Sequence, residues 1–121
     1  REWRQAVERV NYGLPAGGLE DDDSDVRAAA RRELREETGY EAGVVEQIAT
    51  YEPANGLFDS VFHLTVAHGC EPTAEQELDH NESITVETTG FDELRGRAAI
   101  GDLRDGRSAL AVLQYAIQTE E

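Results

Sequence analysis

A chain of 121 residues with 39% hydrophobic content is the size of one domain, and its apolar residues fall in short periodic clusters, which argues against wholesale disorder. The 26 Asp and Glu against 11 basic residues, all of them Arg, leave a formal net charge of -15; such a surface repels nucleic acid and takes a nucleotide only with the help of a cation. No apolar run reaches the length of a membrane helix, no signal-peptide pattern is present and the lone Cys70 has no internal disulfide partner, so a cytoplasmic protein with neither a membrane nor a nucleic-acid partner is expected.

Abundant acid without Lys also matches proteins of salt-loving organisms, where molar salt screens the self-repulsion of a compact state. An ordinary acidic protein with a high-GC coding bias has the same composition. Salt-dependent folding separates the two.

Residues 3 to 13 alternate loosely through Trp3, Val7, Val10 and Tyr12, and predict one or two short strands broken near Glu8-Arg9. Gly13-Leu14-Pro15-Ala16-Gly17-Gly18 must be a loop, and the acid run Glu20-Asp21-Asp22-Asp23 follows it. A helix is then predicted over Val26 to Thr38, with Asp23 or Ser24 as N-cap, Asp25 in the first turn and Gly39 as the terminating residue. Strands are expected at Val44–Thr50 and Phe58–Ala67, separated by the turn residues Pro53, Asn55 and Gly56. After a polar loop from Gly69 to Asn81, Ser83 to Thr88 alternates like a further strand, and Asp92 to Arg95 like a short helical turn. Arg107 to Gln118 carries Leu110, Leu113 and Ile117 at helical spacing. Strands on both sides of a central helix favour an α+β arrangement of helices on a sheet.

The first helix carries the chemistry. At about 100° per residue, Ala29, Ala30 and Leu34 define an apolar arc, with Glu33 and Glu37 inside it and Glu36 at its edge. Carboxylates on a buried face are costly unless paired or bound to a cation. Glu33, Glu36 and Glu37 stand at i, i+3 and i+4 and converge on one patch, where hard oxygen ligands suit Mg²⁺. The plainer alternative is a solvated acidic helix with Arg31, Arg32 and Arg35 as i,i+4 partners.

The loop glycines and the string Arg32-Glu33-Leu34-Arg35-Glu36-Glu37-Thr38-Gly39-Tyr40 together resemble the signature of the Nudix hydrolases, Gx5Ex7REUxEExGU with U apolar. Counted from Gly18, every fixed position is in register except one, where the expected Glu is Ser24, preceded by Asp23. Leu14-Pro15-Ala16-Gly17, Pro53-Ala54-Asn55-Gly56, Leu78-Asp79-His80-Asn81-Glu82 and Ile100-Gly101-Asp102 resemble, in order, the ADP-ribose pyrophosphatase branch.

The resemblance implies one Nudix domain over 1–121, an α/β/α sandwich around a mixed sheet that lacks the usual N-terminal strands. It implies Mg²⁺, or Mn²⁺ in its place, on Glu33, Glu36 and Glu37, with Arg32 and Glu37 in the catalytic machinery. Glu82 matches the loop base, with Glu75, Glu77 and Asp79 as substitutes. Arg4, Ala16, Gly17 and Gly18 are offered for substrate binding, although Arg4 reads equally well as a surface charge. The implied substrate is a small nucleotide, ADP-ribose or a related NDP-sugar, and the implied assembly a homodimer. A Nudix-fold domain that binds a nucleotide without cleaving it is the alternative that Ser24 raises. His63, His68 and His80 lack zinc-site spacing and read as structural. Trp3 and Tyr12 read as core aromatics before they read as an adenine platform.

Overall fold

The computed structural model describes residues 2–4, 9–20, 22–80 and 82–120, with side chains at all of these except 3, 4 and 9–11. Glu8, and with it half of the expected strand break, lies outside them. The chain divides into two compact units, Arg1–Leu14 with His80–Glu121, and Pro15–Asp79. Helices combined with antiparallel strand pairs make the fold α+β. Among the described residues no helix is long and apolar enough to cross a membrane.

The unit Pro15–Asp79 holds α1 (Val26–Thr38), β3 (Val44–Tyr51) and β4 (Phe62–His68). Its two strands form one antiparallel ladder, Val44 opposite His68 and Tyr51 opposite Phe62, with a register shift between Gln47 and Ala49. The predicted strand beginning at Phe58 starts four residues later. Leu57, Phe58 and Val61 are exposed, and the ladder closes only where the Phe62 ring meets that of Tyr51, centroids 5.8 Å apart. Helix α1 packs on both strands. Ala29, Val45 and Leu64 are buried in this unit.

Helix α1 occupies its predicted span but is capped differently. Asp25 is the N-cap, its Oδ1 accepting from the Ala28 backbone N–H at 2.8 Å, in place of the expected Asp23 or Ser24. Asp23 is unavailable because Arg32 takes both of its carboxylate oxygens. At the other end Gly39 turns left-handed, φ 77°, and its N–H reaches the Arg35 carbonyl at 2.8 Å.

Two carbonyls of the last turn, and that of Gly39, are satisfied from the loop after β4. Glu77 N donates to Glu36 O at 2.7 Å, Gln76 Nε2 to Glu37 O at 2.7 Å and Ala74 N to Gly39 O at 3.0 Å. Sequence spacing gave no sign of these bonds, because they bridge chain segments far apart. A Cβ on Gly39 would stand 2.6 Å from the Ala74 carbonyl oxygen. Gly39→Ala is therefore expected to lose about 2 kcal/mol, from the left-handed conformation and from the collision together. Urea denaturation reads this, and a loss below about 0.5 kcal/mol would show that the loop yields freely.

The other unit holds β1 (Glu2–Arg4), β2 (Arg9–Asn11), α2 (Phe91–Ala99) and α3 (Gly106–Gln118). The two short strands pair antiparallel, Glu2 opposite Asn11 and Arg4 opposite Arg9. Among the described residues the strand expected over Ser83–Thr88 is not formed: of that stretch only Ile84 makes a bridge there, to Glu2. Alternation supplies a β-face, but a strand needs a ladder partner along its length. The expected short turn at Asp92–Arg95 is instead a nine-residue helix. Its Ala98 joins Leu103 and Val112 in a small core backed by Leu94, Ala109 and Leu113. Ser108, buried in α3, accepts from Leu14 N at 2.9 Å and donates to Asp105 Oδ2 at 2.7 Å, tying the loop after β2 to the start of α3.

Candidate active site

The periodicity of α1 determines what it presents. Ala29 and Glu37 are its two buried residues, while Arg32, Glu33 and Glu36 are half-buried beside them. The carboxylates of the predicted arc thus lie at the level of the core, as their angular positions require.

Arg32 organises this face. Its Nη1 donates to Glu33 Oε1 at 2.8 Å and to Glu36 Oε2 at 3.1 Å. Its Nε and Nη2 donate to the two oxygens of Asp23, each at 3.0 Å, and Nη2 also reaches the Gly18 carbonyl at 2.8 Å. Glu20 Oε1 stands 3.4 Å from Nη1. Hydrogen bonds from Arg32, helped by the Glu20 backbone, hold the Asp23 carboxyl below its ordinary value of 3.8. The same bonds, with Asp23 first among them, raise the Arg32 pKa against the opposing effect of desolvation.

The expected i,i+4 pairing of the three arginines is borne out for Arg32 with Glu36. Arg35 turns to Glu77 at 3.7 Å. Arg31 spends its guanidinium on the Ala42 and Gly43 carbonyls, at 2.8 and 2.9 Å, which fixes the chain as it leaves the helix.

The Pro-Ala-Gly-Gly loop lies against the same face. Ala16 N donates to Glu37 Oε2 at 3.0 Å, which gives the buried carboxylate a partner. At Gly17 a Cβ would fall on the Glu33 carboxylate, on Cδ and both oxygens, whereas a Cβ at Gly18 meets nothing within 4 Å. Gly17 is thus needed for close approach of backbone to Glu33. The structure therefore brings Ala16, Gly17, Gly18, Arg32, Glu33, Glu36 and Glu37 together.

The other candidates belong to other segments of the chain. Glu82 is half-buried in the unit that contains His80–Glu121, and the side chain of Arg4 lies outside the described residues, as does that of Trp3. Glu75 and Glu77 are exposed in the loop that caps α1. His63 Nδ1 lies 2.7 Å from Thr50 Oγ1 and His68 Nε2 3.7 Å from Glu46 Oε2, so each meets a neighbour within the β3–β4 ladder. Tyr12 is exposed, with the Arg97 guanidinium 5.9 Å from its ring centroid, contrary to the core reading. Sequence reasoning missed Glu20, whose backbone N–H donates to Asp23 Oδ2 at 2.8 Å. The acid run ahead of the helix was its only signal.

The donors offered to a cation are oxygen only, three carboxylates within one turn or so of α1, a chemistry that fits a hard divalent ion. The cation between Glu33 and Glu36 in this structure is the Arg32 guanidinium, and among the described residues no three His, Cys, Asp or Glu side chains are gathered as a metal cage.

The NUDIX domain model matches residues 2–108. The chain belongs to the Nudix family. Among its relatives is the methanol dehydrogenase activator of Bacillus methanolicus, 30% identical over 97% of this chain and 63% of that protein. The ADP-ribose pyrophosphatase of Bacillus subtilis (strain 168) is 28% identical over 100% of this chain and 68% of its own length. The GDP-mannose pyrophosphatase of Klebsiella pneumoniae is 32% identical over 83% of this chain and 50% of its own. This Nudix chain thus spans between half and about two thirds of the length of these three relatives. Nudix hydrolases generally use divalent metals, and the α1 carboxylates offer oxygen donors of the kind such ions take.

Proposed function

We propose that this Nudix chain hydrolyses the pyrophosphate linkage of a nucleoside diphosphate derivative, ADP-ribose or a related NDP-sugar, with Mg²⁺ or Mn²⁺ as cofactor. The observation that carries the reading is the α1 face, where Glu33, Glu36 and Glu37 lie beside an Arg32 that contacts the first two, under a glycine loop that leaves no room for a side chain at Gly17. Relatives named ADP-ribose pyrophosphatase and GDP-mannose pyrophosphatase support the substrate class. The layering that goes with it is the α/β/α sandwich around a mixed sheet, in one domain, and a homodimer is the assembly we assign.

In this reading Glu33, Glu36 and Glu37 would hold the ion, which when bound would supply positive charge to neutralise the diphosphate and Lewis acidity at the phosphoryl group. Arg32 keeps Glu33 and Glu36 at a fixed spacing, and the backbone of Ala16, Gly17 and Gly18 borders the place where the diphosphate lies. Glu82 accepts the proton of the attacking water as its oxygen bonds to phosphorus and the anhydride P–O bond breaks. From ADP-ribose the products are AMP and ribose 5-phosphate. Arg4 assists by binding substrate phosphate. Net charge -15 leaves a nucleic-acid or membrane partner disfavoured.

The test is product release from ADP-ribose, NDP-sugars, dinucleoside polyphosphates and NTPs with Mg²⁺, with Mn²⁺ or with EDTA, at low and at molar KCl. AMP from ADP-ribose only with metal is expected. Glu37→Gln keeps an acceptor for Ala16 N–H but removes the charge, and should lower turnover at least about 100-fold. Undiminished turnover under saturating Mg²⁺ would sink the assignment. Ser24, at the acidic position of the signature, favours a second reading, a Nudix-fold domain that binds nucleotide without cleaving it; stoichiometric binding with no product over hours would establish that one.

A further inference from the structure

The family signature has a Glu where this chain has Ser24, and that serine is exposed and takes no part in the Arg32 cluster. Asp23, one residue earlier, takes both the Nε and Nη2 donors of Arg32. We infer that Asp23 is the positioning residue of the α1 face, holding the Arg32 guanidinium and, through it, the Glu33 and Glu36 carboxylates.

Three observations carry this. The first is the fork: Asp23 Oδ1 receives Nε and Oδ2 receives Nη2, both at 3.0 Å, so two parallel bonds fix the plane of the guanidinium and not merely its distance. The second is the division of labour around that plane. With one edge seated on Asp23 and the Gly18 carbonyl, Nη1 is left to face Glu33 at 2.8 Å and Glu36 at 3.1 Å. Rotation of the guanidinium off Asp23 would withdraw Nη1 from both glutamates. The third is that Asp23 is itself anchored: its N–H donates to Glu20 O at 3.0 Å while its Oδ2 accepts from Glu20 N at 2.8 Å, closing the turn ahead of α1. The Asp23 side chain is only 6% exposed, although it lies in a loop, which fits a group engaged on both sides.

What the face is used for rests on the proposed hydrolase, but the role of Asp23 can be read without metal or substrate. The Arg32 Nε–H has its acceptor in Asp23 and should exchange slowly with water in a ¹⁵N spectrum of the whole chain. In Asp23→Ala the exchange should accelerate at least about 10-fold, while Ser24→Ala leaves it as it was. Should Asp23→Ala fail to fold by circular dichroism, Asp23→Asn, which keeps one acceptor oxygen, takes its place with a smaller acceleration. Mn²⁺ affinity, read from the free-ion paramagnetic resonance signal, should weaken about 10- to 100-fold in the Asp23 variant and stay within about twofold in Ser24→Ala. Unchanged Nε–H exchange in a folded Asp23 variant, or an equal loss in Ser24→Ala, overturns the inference. A wild-type chain that binds no Mn²⁺ removes the hydrolase reading alone, since the exchange rates still decide what Asp23 holds.

Discussion

Arg32→Ala is expected to cost about 2–3 kcal/mol of folding stability, more than any other single surface-facing substitution in α1. Arg32 is 14% exposed on its side chain, and it touches Asp23, Glu33 and Glu36, which are 6%, 19% and 29% exposed. Removing one member of a fully buried pair costs about 3–5 kcal/mol because the other charge is left behind. The lower figure reflects water that still reaches the two glutamates. Three acids would then face one another in a chain whose formal charge is already -15. Arg32→Lys should recover less than half of the loss, because an ammonium lacks the fork that serves Asp23 on one edge and the glutamates on the other.

Two conditions separate this account from simple loss of packing. Molar KCl should restore part of the stability of Arg32→Ala by screening the acids, but nothing for a packing defect. Acid should narrow the gap between variant and wild type. The folded Asp23 carboxyl lies below its ordinary 3.8, so its contribution is complete above 3.8 and is lost as pH falls from there through the lowered value. Urea denaturation at neutral pH and below 3.8 reads both arms, and a gap that ignores both salt and acid would show that Arg32 matters here only as a hydrocarbon stem.

The same face shows what a sequence reveals and what it withholds. Helix α1 was legible because its period, its acid-capable start and Gly39 all agree, and because Glu37 falls at an angle that must be buried. Its cap was not, since Asp23, Ser24 and Asp25 are all competent and the choice depends on Arg32, nine residues ahead of Asp23, drawing Asp23 away. The carboxylate patch was legible from spacing alone. That the guanidinium of Arg32 would lie between Glu33 and Glu36 was not, because spacing says which groups meet and not which cation stands between them. Ser83–Thr88 misled for the opposite reason: its local pattern is that of a strand, but pairing is decided elsewhere in the chain.

Gly17→Ala should separate function from stability more sharply than any change to a charged residue. The backbone on either side of Gly17 is tied to α1, Ala16 N to Glu37 Oε2 at 3.0 Å and Gly18 O to Arg32 Nη2 at 2.8 Å. A new methyl at 17 therefore cannot be relieved by moving the loop without breaking one of these bonds. The group it strikes is the carboxylate of Glu33, the far end of a flexible side chain, which can rotate away. Folding then loses little more than the Glu33–Arg32 contact, within about 1 kcal/mol because the displaced carboxylate turns to water and Arg32 keeps Asp23 and Glu36. The carboxylate offered to the cation is displaced, however, and metal-dependent turnover should fall at least about 100-fold, with Mn²⁺ affinity falling alongside it. Gly18→Ala, one residue on and with nothing within 4 Å of its new methyl among the described residues, should leave Mn²⁺ affinity within about twofold. Near-equal denaturation midpoints for the two variants, with Mn²⁺ affinity lost only in Gly17→Ala, would assign the loop to shaping the carboxylate face. Equal Mn²⁺ affinity in both would mean that Glu33 is not a ligand, leaving the ion to Glu36 and Glu37.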